Sequence, residues 1–139
     1  MMRLRILAPL AALWLALPAW AQDVLAPEPG IEAVISKQME AFRGGDVAGA
    51  FEYASPMIRG IFRTPEMFGR MVEQGYPMVW RPDNIDFGAL RQMDGRLFQR
   101  VIVTDEGGRL HVLEYRMLET EGGWLIDGVQ ILPQTGVAA

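Results

Sequence analysis

Three tight-turn signals most constrain what this chain can become: Asp94-Gly95, Asp105-Glu106-Gly107-Gly108 and Thr120-Glu121-Gly122-Gly123. Between and after them lie "RLFQRVIVT", "RLHVLEYRMLE" and "WLIDGVQIL", and "NIDFGALRQM" precedes the first. These runs are rich in β-branched and aromatic residues, and Asp-Gly suits the positive φ that a two-residue hairpin demands. Runs joined so closely must pair antiparallel, because a parallel partner needs a crossover of about a dozen residues. The second half of the chain therefore reads as an antiparallel meander.

The first half has another period. Ile31, Val34, Ile35, Gln38, Met39 and Phe42 share one face of a helix that Gly44-Gly45 stops. Asp46 is placed to cap a short second helix carrying Val47, Ala50, Phe51 and Ala54. Ser55-Pro56 and Thr64-Pro65 each set a capping hydroxyl before a first-turn proline. They open helices through "MIRGIF" and through Phe68, Met71 and Val72. "YPMVW", Tyr76 to Trp80, reads as a short extended edge segment, since Pro77 has no N–H for a ladder. Helices followed by a run of strands make an α+β fold.

The N-terminus reads as an address. "MMRLR" precedes the apolar run Ile6–Trp20, which Pro9 and Pro18 interrupt, and Ala19-Trp20-Ala21 is a small-x-small cleavage pattern. That run is shorter than the roughly 20 residues a spanning helix needs, so cleavage before Gln22 and release to the periplasm or beyond are expected. On this reading residues 22–30 are a flexible lead-in, 31–133 one domain and 134–139 a tail. The chain has 13 basic and 17 acidic residues, a net charge of −4, and loss of Arg3 and Arg5 makes the remainder more acidic. An acidic domain lacks the counterion release that drives nucleic-acid binding. One histidine and no cysteine leave no transition-metal set and no disulfides. Neither a phosphate loop, a dinucleotide fingerprint nor a Gly-x-Ser-x-Gly elbow occurs, so no cofactor is expected.

"MEAFRGGDVAGAFEYASPMIRGIF", "FGRMVEQGYPMVWRP" and the terminal "GWLIDGVQIL" resemble the bacterial domain-of-unknown-function 4864 family, over roughly Ile31 to Pro133. The order of elements is also similar to the cystatin-like cone of the nuclear transport factor 2-like superfamily. That resemblance implies N-terminal helices packed in the concave face of a curved antiparallel sheet, a pocket between them, and a convex face that often meets a second copy. The superfamily spans isomerases, dehydratases, hydrolases and non-catalytic binding modules, so fold analogy fixes no reaction.

The candidate site residues are Tyr76, Trp80, His111, Tyr115 and Asp127. In the last strand Trp124, Ile126, Gly128, Gln130 and Leu132 alternate against Leu125, Asp127, Val129 and Ile131. Both sets are largely apolar, unlike a sheet with one wet face, and this favours a homodimer through the convex face. Asp127 is either a carboxylate base, as in the superfamily's isomerases, or an outward charge paired with an arginine of a neighbouring strand. The bulk of Trp124 and Ile126 favours the outward position. His111, Leu113, Tyr115 and Met117 share a face, where the histidine can serve as a base beside a phenol. Glu114 and Arg116 alternate on the other face as an ion pair. Tyr76 and Trp80, apolar bodies with polar tips, suit the lip of a pocket. Met57, Met67, Met71, Met78, Met93 and Met117 suit irregular packing or an adaptable cavity. Arg59, Arg63 and Arg70 share a face only if Pro65 leaves the helix unbroken. The expected function is non-catalytic binding of a small apolar or amphipathic molecule. Its alternatives are an envelope interaction module and a cofactor-free isomerase, dehydratase or hydrolase.

Overall fold

A computed structural model describes residues 24–134. The leader expected over residues 1–21, its cleavage point and residues 135–139 lie outside the described residues.

Helix α1 spans Pro29–Arg43 and starts where Glu28 accepts a hydrogen bond from Gly30 N at 3.2 Å. It buries Ile31, Ile35, Gln38, Met39 and Phe42, and each large apolar side chain so buried contributes about 1.5–3 kcal/mol. Asp46 caps α2 (Val47–Glu52), Ser55 caps α3 (Pro56–Phe62) and Thr64 caps α4 (Pro65–Gly75), each side-chain oxygen accepting from the third residue on. Pro65 therefore starts a new helix, and Arg59 and Arg70 share no continuous face. Pro77–Trp80 forms a helical turn, α5, where the sequence reading expected an extended edge. Proline at the first helical position loses no hydrogen bond either, and the turn buries Met78 and Val79.

The sheet has five strands in chain order: β1 (Val24–Leu25), β2 (Pro82–Met93), β3 (Arg96–Asp105), β4 (Leu110–Thr120) and β5 (Gly123–Ile131). Every neighbouring pair is antiparallel. Asp94 and Gly95 take φ of 51° and 75°, as a two-residue hairpin turn requires. Val24 and Leu25 pair with Arg91 and Leu90, so the lead-in carries an element the sequence reading left out. The fold is α+β, with the N-terminal helices packed on one face of a curved, open sheet. Register shifts between Phe87 and Leu90 on β2, and between Arg116 and Met117 on β4, mark bulges of the kind that bend strands.

The bulge between β4 and β5 overturns the simple alternation assigned to the last strand. Arg116 pairs with Gly128, but Met117 pairs with Ile126, so Asp127 is an extra residue without a partner. Parity reverses there. Val129 opposes buried Tyr115 and Ile126 opposes buried Met117, which puts both on the helix-facing side. Apolar residues of both parities thus reach one face, and the β5 pattern no longer demands a covered second face. The free edge of β5 is itself partly closed. Ile126 N donates to Tyr53 O and Ser55 N to Ile126 O, both at 2.8 Å.

Candidate functional site

An apolar space lies between α1, α3, α4 and the β4–β5 end of the sheet, with a volume of about 260 Å³. Phe42 of α1 and Phe68 and Val72 of α4 supply one wall; Tyr115, Ile126 and Val129 supply the other. Met57, Ile58 and Phe62 of α3 lie over it, and Met71 and Tyr76 complete the helical side. The sequence forces this meeting in steps. Ser55-Pro56 fixes where α3 begins, the bridge from Tyr53 and Ser55 to Ile126 ties that start to β5, and the bulge turns Val129 inward.

The polar groups of the wall are nearly all engaged. Gln38 Nε2 donates to Ala50 O at 3.1 Å, and Tyr76 donates its hydroxyl to Val129 O at 3.2 Å. Arg116 donates from Nε to Asp127 Oδ2 at 3.1 Å and from its terminal nitrogen to Asp127 O at 3.0 Å. The guanidinium lies over Gly128, where a Cβ would come within 3.5 Å of it. Asp127 is therefore held in an ion pair across the bulge, with its carboxylate turned to Arg116.

Tyr115 is the exception. Its side chain is 0 % exposed, it forms part of the cavity wall, and its hydroxyl has no hydrogen-bond partner among the described residues. Gln99 stands directly opposite on β3; its amide nitrogen donates to Gly88 O and Arg100 O, its buried Oε1 is also without a partner among the described residues, and no bond joins it to the phenol. A buried, unpaired hydroxyl costs about 1–3 kcal/mol, so this position calls for a partner. Burial, aided by the nearby Tyr76, pushes the Tyr115 hydroxyl well above its ordinary pKa of 10.0. It stays a neutral phenol, able to donate.

The five sequence candidates do not form one site. Tyr76, Tyr115 and Asp127 line the cavity; Trp80 and His111 do not. His111 and Tyr115 share a strand face, but four residues separate them, about 13 Å along the strand, with buried Leu113 between. They cannot both serve a small ligand. His111 Nε2 donates to Asp105 Oδ2 at 2.8 Å, in a separate depression beside Arg81 and Met78. Asp105 also accepts from the backbone N–H groups of Gly107 and Arg109, and these bonds, the one from His111 foremost, hold its carboxyl below its ordinary pKa. That network closes the β3–β4 turn. Trp80 packs on Phe42 with ring centroids 5.5 Å apart and carries the Arg81 guanidinium 5.1 Å from its own centroid, sealing the helix joint. Glu114 pairs with Arg91 and Arg100 at 2.7 and 3.5 Å, so the expected pairing with Arg116 does not form.

Sequence reasoning missed the contribution of α3. Ile58 and Phe62 stand four apart, which marks one helical face, but nothing local says that the face looks onto empty space. The described residues contain no cluster of histidine, aspartate and glutamate that would hold a metal ion, and no helix among them is long and apolar enough to cross a membrane.

Residues 25–139 match a family model described as a domain of unknown function, DUF4864. No curated protein and no solved structure matches the chain.

Proposed function

From the premise that the chain belongs to the domain-of-unknown-function 4864 family, whose description assigns no chemistry, we propose a function from the cavity. The protein is an exported, non-catalytic module that binds a small, largely apolar molecule between its helices and its sheet. The observation that carries this reading is about 260 Å³ of apolar space whose wall includes Tyr115, a residue with a buried hydroxyl that has no partner among the described residues. Ligand sites combine apolar walls with a few placed polar groups in this way. The volume suits a molecule of roughly ten non-hydrogen atoms.

Catalysis ranks lower on the same geometry. A cofactor-free isomerase, dehydratase or hydrolase needs two convergent polar groups at the reacting atoms. Here His111 is elsewhere and Asp127 is occupied by Arg116. The architecture is consistent with a cystatin-like cone, and the N-terminal pattern of Arg3, Arg5 and Ala19-Trp20-Ala21 supports export.

A second reading rests on the outer face of the sheet. Leu110 and Leu118 are 56 % and 38 % exposed there, beside half-buried Ile102 and Val112. Such a face suits a second copy of the chain or another envelope protein.

Native mass spectrometry of the protein purified from the envelope of its own host tests both. A discrete extra mass is the expected result, on a chain beginning at Gln22. A bare protein whose melting temperature is unmoved by any of a panel of small apolar compounds would sink the binding reading. A bare dimer would leave the outer face as the place to look.

A further inference from the structure

Resting on the binding reading above, we infer that the ligand is an uncharged molecule, apolar over most of its surface, that presents one oxygen acceptor to the Tyr115 hydroxyl. The inference comes from which polar groups of the wall are free. Gln38 and Tyr76 are tied to backbone carbonyls, and Arg116 is tied twice to Asp127. Among the described residues, only the Tyr115 hydroxyl of the polar side chains that wall the cavity is buried and unbonded.

A phenol donates more readily than it accepts, so what completes it is an acceptor: a carbonyl, an ether or an alcohol oxygen. Burial keeps the proton on that oxygen, since it raises the hydroxyl's pKa further above neutrality. A purely apolar ligand would fill the space and leave the hydroxyl orphaned. A carboxylate or an ammonium would enter facing an ion pair that already neutralises itself, and a desolvated charge without a counter-charge is strongly disfavoured. The Tyr115 side chain is closed off from solvent, so the acceptor reaches it as lining side chains shift. Met57 and Met71, unbranched and flexible, are the ones suited to give way.

Three probes of similar size separate the possibilities: acetophenone (a neutral acceptor), ethylbenzene (its apolar counterpart) and benzoate (an anion). Each is titrated by calorimetry into the full-length mature protein and into Tyr115→Phe. The expected result is acetophenone at least tenfold tighter than either competitor, with its advantage over ethylbenzene gone in Tyr115→Phe. Tenfold is about 1.4 kcal/mol, within reach of one buried hydrogen bond. Equal binding of acetophenone and ethylbenzene, unchanged by the substitution, overturns the inference and leaves the binding reading standing. Tightest binding of benzoate overturns it too, because the site would then hold a usable positive charge. If none of the three binds at millimolar concentration, the binding reading fails and the inference falls with it. Thermal unfolding of Tyr115→Phe without ligand checks its fold; removing an unpartnered hydroxyl is expected to raise the melting temperature.

Discussion

Helices α1 and α3 begin alike and end up held differently. Both open with a side-chain cap and a proline at the first helical positions. Helix α1 then buries five residues, whereas α3 buries none, with Ile61 and Met57 exposed at 61 % and 48 %. Capping decides where a helix starts; burial decides how firmly it stays. The inward side of α3 looks onto the cavity, so part of what it should pack against is absent. The link onward from α3 is also strained. Thr64 N donates to Phe62 O at 2.8 Å around Arg63, whose φ of 67° and ψ of −43° make a positive-φ γ-turn, the rare and unfavourable form. Elements with few buried contacts open at the lowest free energy, and here that element covers the candidate site.

The largest test of this contrast compares two phenylalanines. Phe42 on α1 is fully buried, and Phe42→Ala is expected to lose about 3–5 kcal/mol in urea unfolding. Phe62 on α3 lines the same cavity but is only half-buried, and Phe62→Ala should lose about 1–2 kcal/mol, because part of its side chain is already in water. Equal losses would erase the distinction between the two helices. Amide exchange should rank them the same way, with α3 exchanging first.

Tyr115→Phe comes next, with a gain of about 1 kcal/mol at neutral pH from removing the unpaired hydroxyl. Its pH dependence has a definite sign. The folded pKa is raised above the ordinary value of 10.0, so the folded chain keeps a proton that the unfolded chain gives up. The resulting stability is fully present below about pH 10 and is lost as pH rises toward the higher folded pKa. Urea unfolding of wild type should therefore weaken above about pH 10 more steeply than that of Tyr115→Phe. Matching alkaline profiles would place the phenol in contact with water.

How far the sequence foretold this can be judged residue by residue. The turn signals at Asp94-Gly95 and the two Gly-Gly turns located the strands, because turn chemistry is local. Ser55-Pro56 and Thr64-Pro65 located helix starts for the same reason. Pro77 misled, since a missing N–H fits a sheet edge and a helix start equally. The bulge at Asp127 was visible only as a defect, namely two apolar sets in one strand. Its position depends on the register that β4 imposes, which no local rule supplies. The cavity was least legible of all. It is a volume left over between Phe42, Phe62, Tyr115 and their neighbours, and a leftover volume has no sequence signature. Tyr115 stands in the wall, and its missing partner follows only from the register that sets Gln99 opposite it without a bond and from Tyr76 donating to Val129 O.

A smaller effect probes the strained link. Arg63 has an exposed side chain, so its replacement tests the backbone alone. Glycine adopts positive φ without steric cost but gives up about 0.5–1 kcal/mol of unfolded-state entropy. A strained turn of this kind costs about 1–3 kcal/mol. Arg63→Gly should therefore stabilise by about 1 kcal/mol, within a span of about 0–2.5 kcal/mol, read as a higher urea midpoint at unchanged slope. A loss would mean that Arg63 makes a contact that outweighs the strain.

The smallest expected change is the most useful for locating partners. Ile61 sits on the outward side of α3 with 61 % of its surface exposed. In a monomer with that face in water, Ile61→Ser should shift stability by no more than about 0.5 kcal/mol. The shift should also be independent of protein concentration, since nothing but solvent would be released. A concentration-dependent loss would show that the outside of α3 is covered by another chain in solution. In that case the weakness of α3 relative to α1 belongs to the isolated subunit alone. Access to the cavity would then be governed by association, and ligand affinity should change with protein concentration as well.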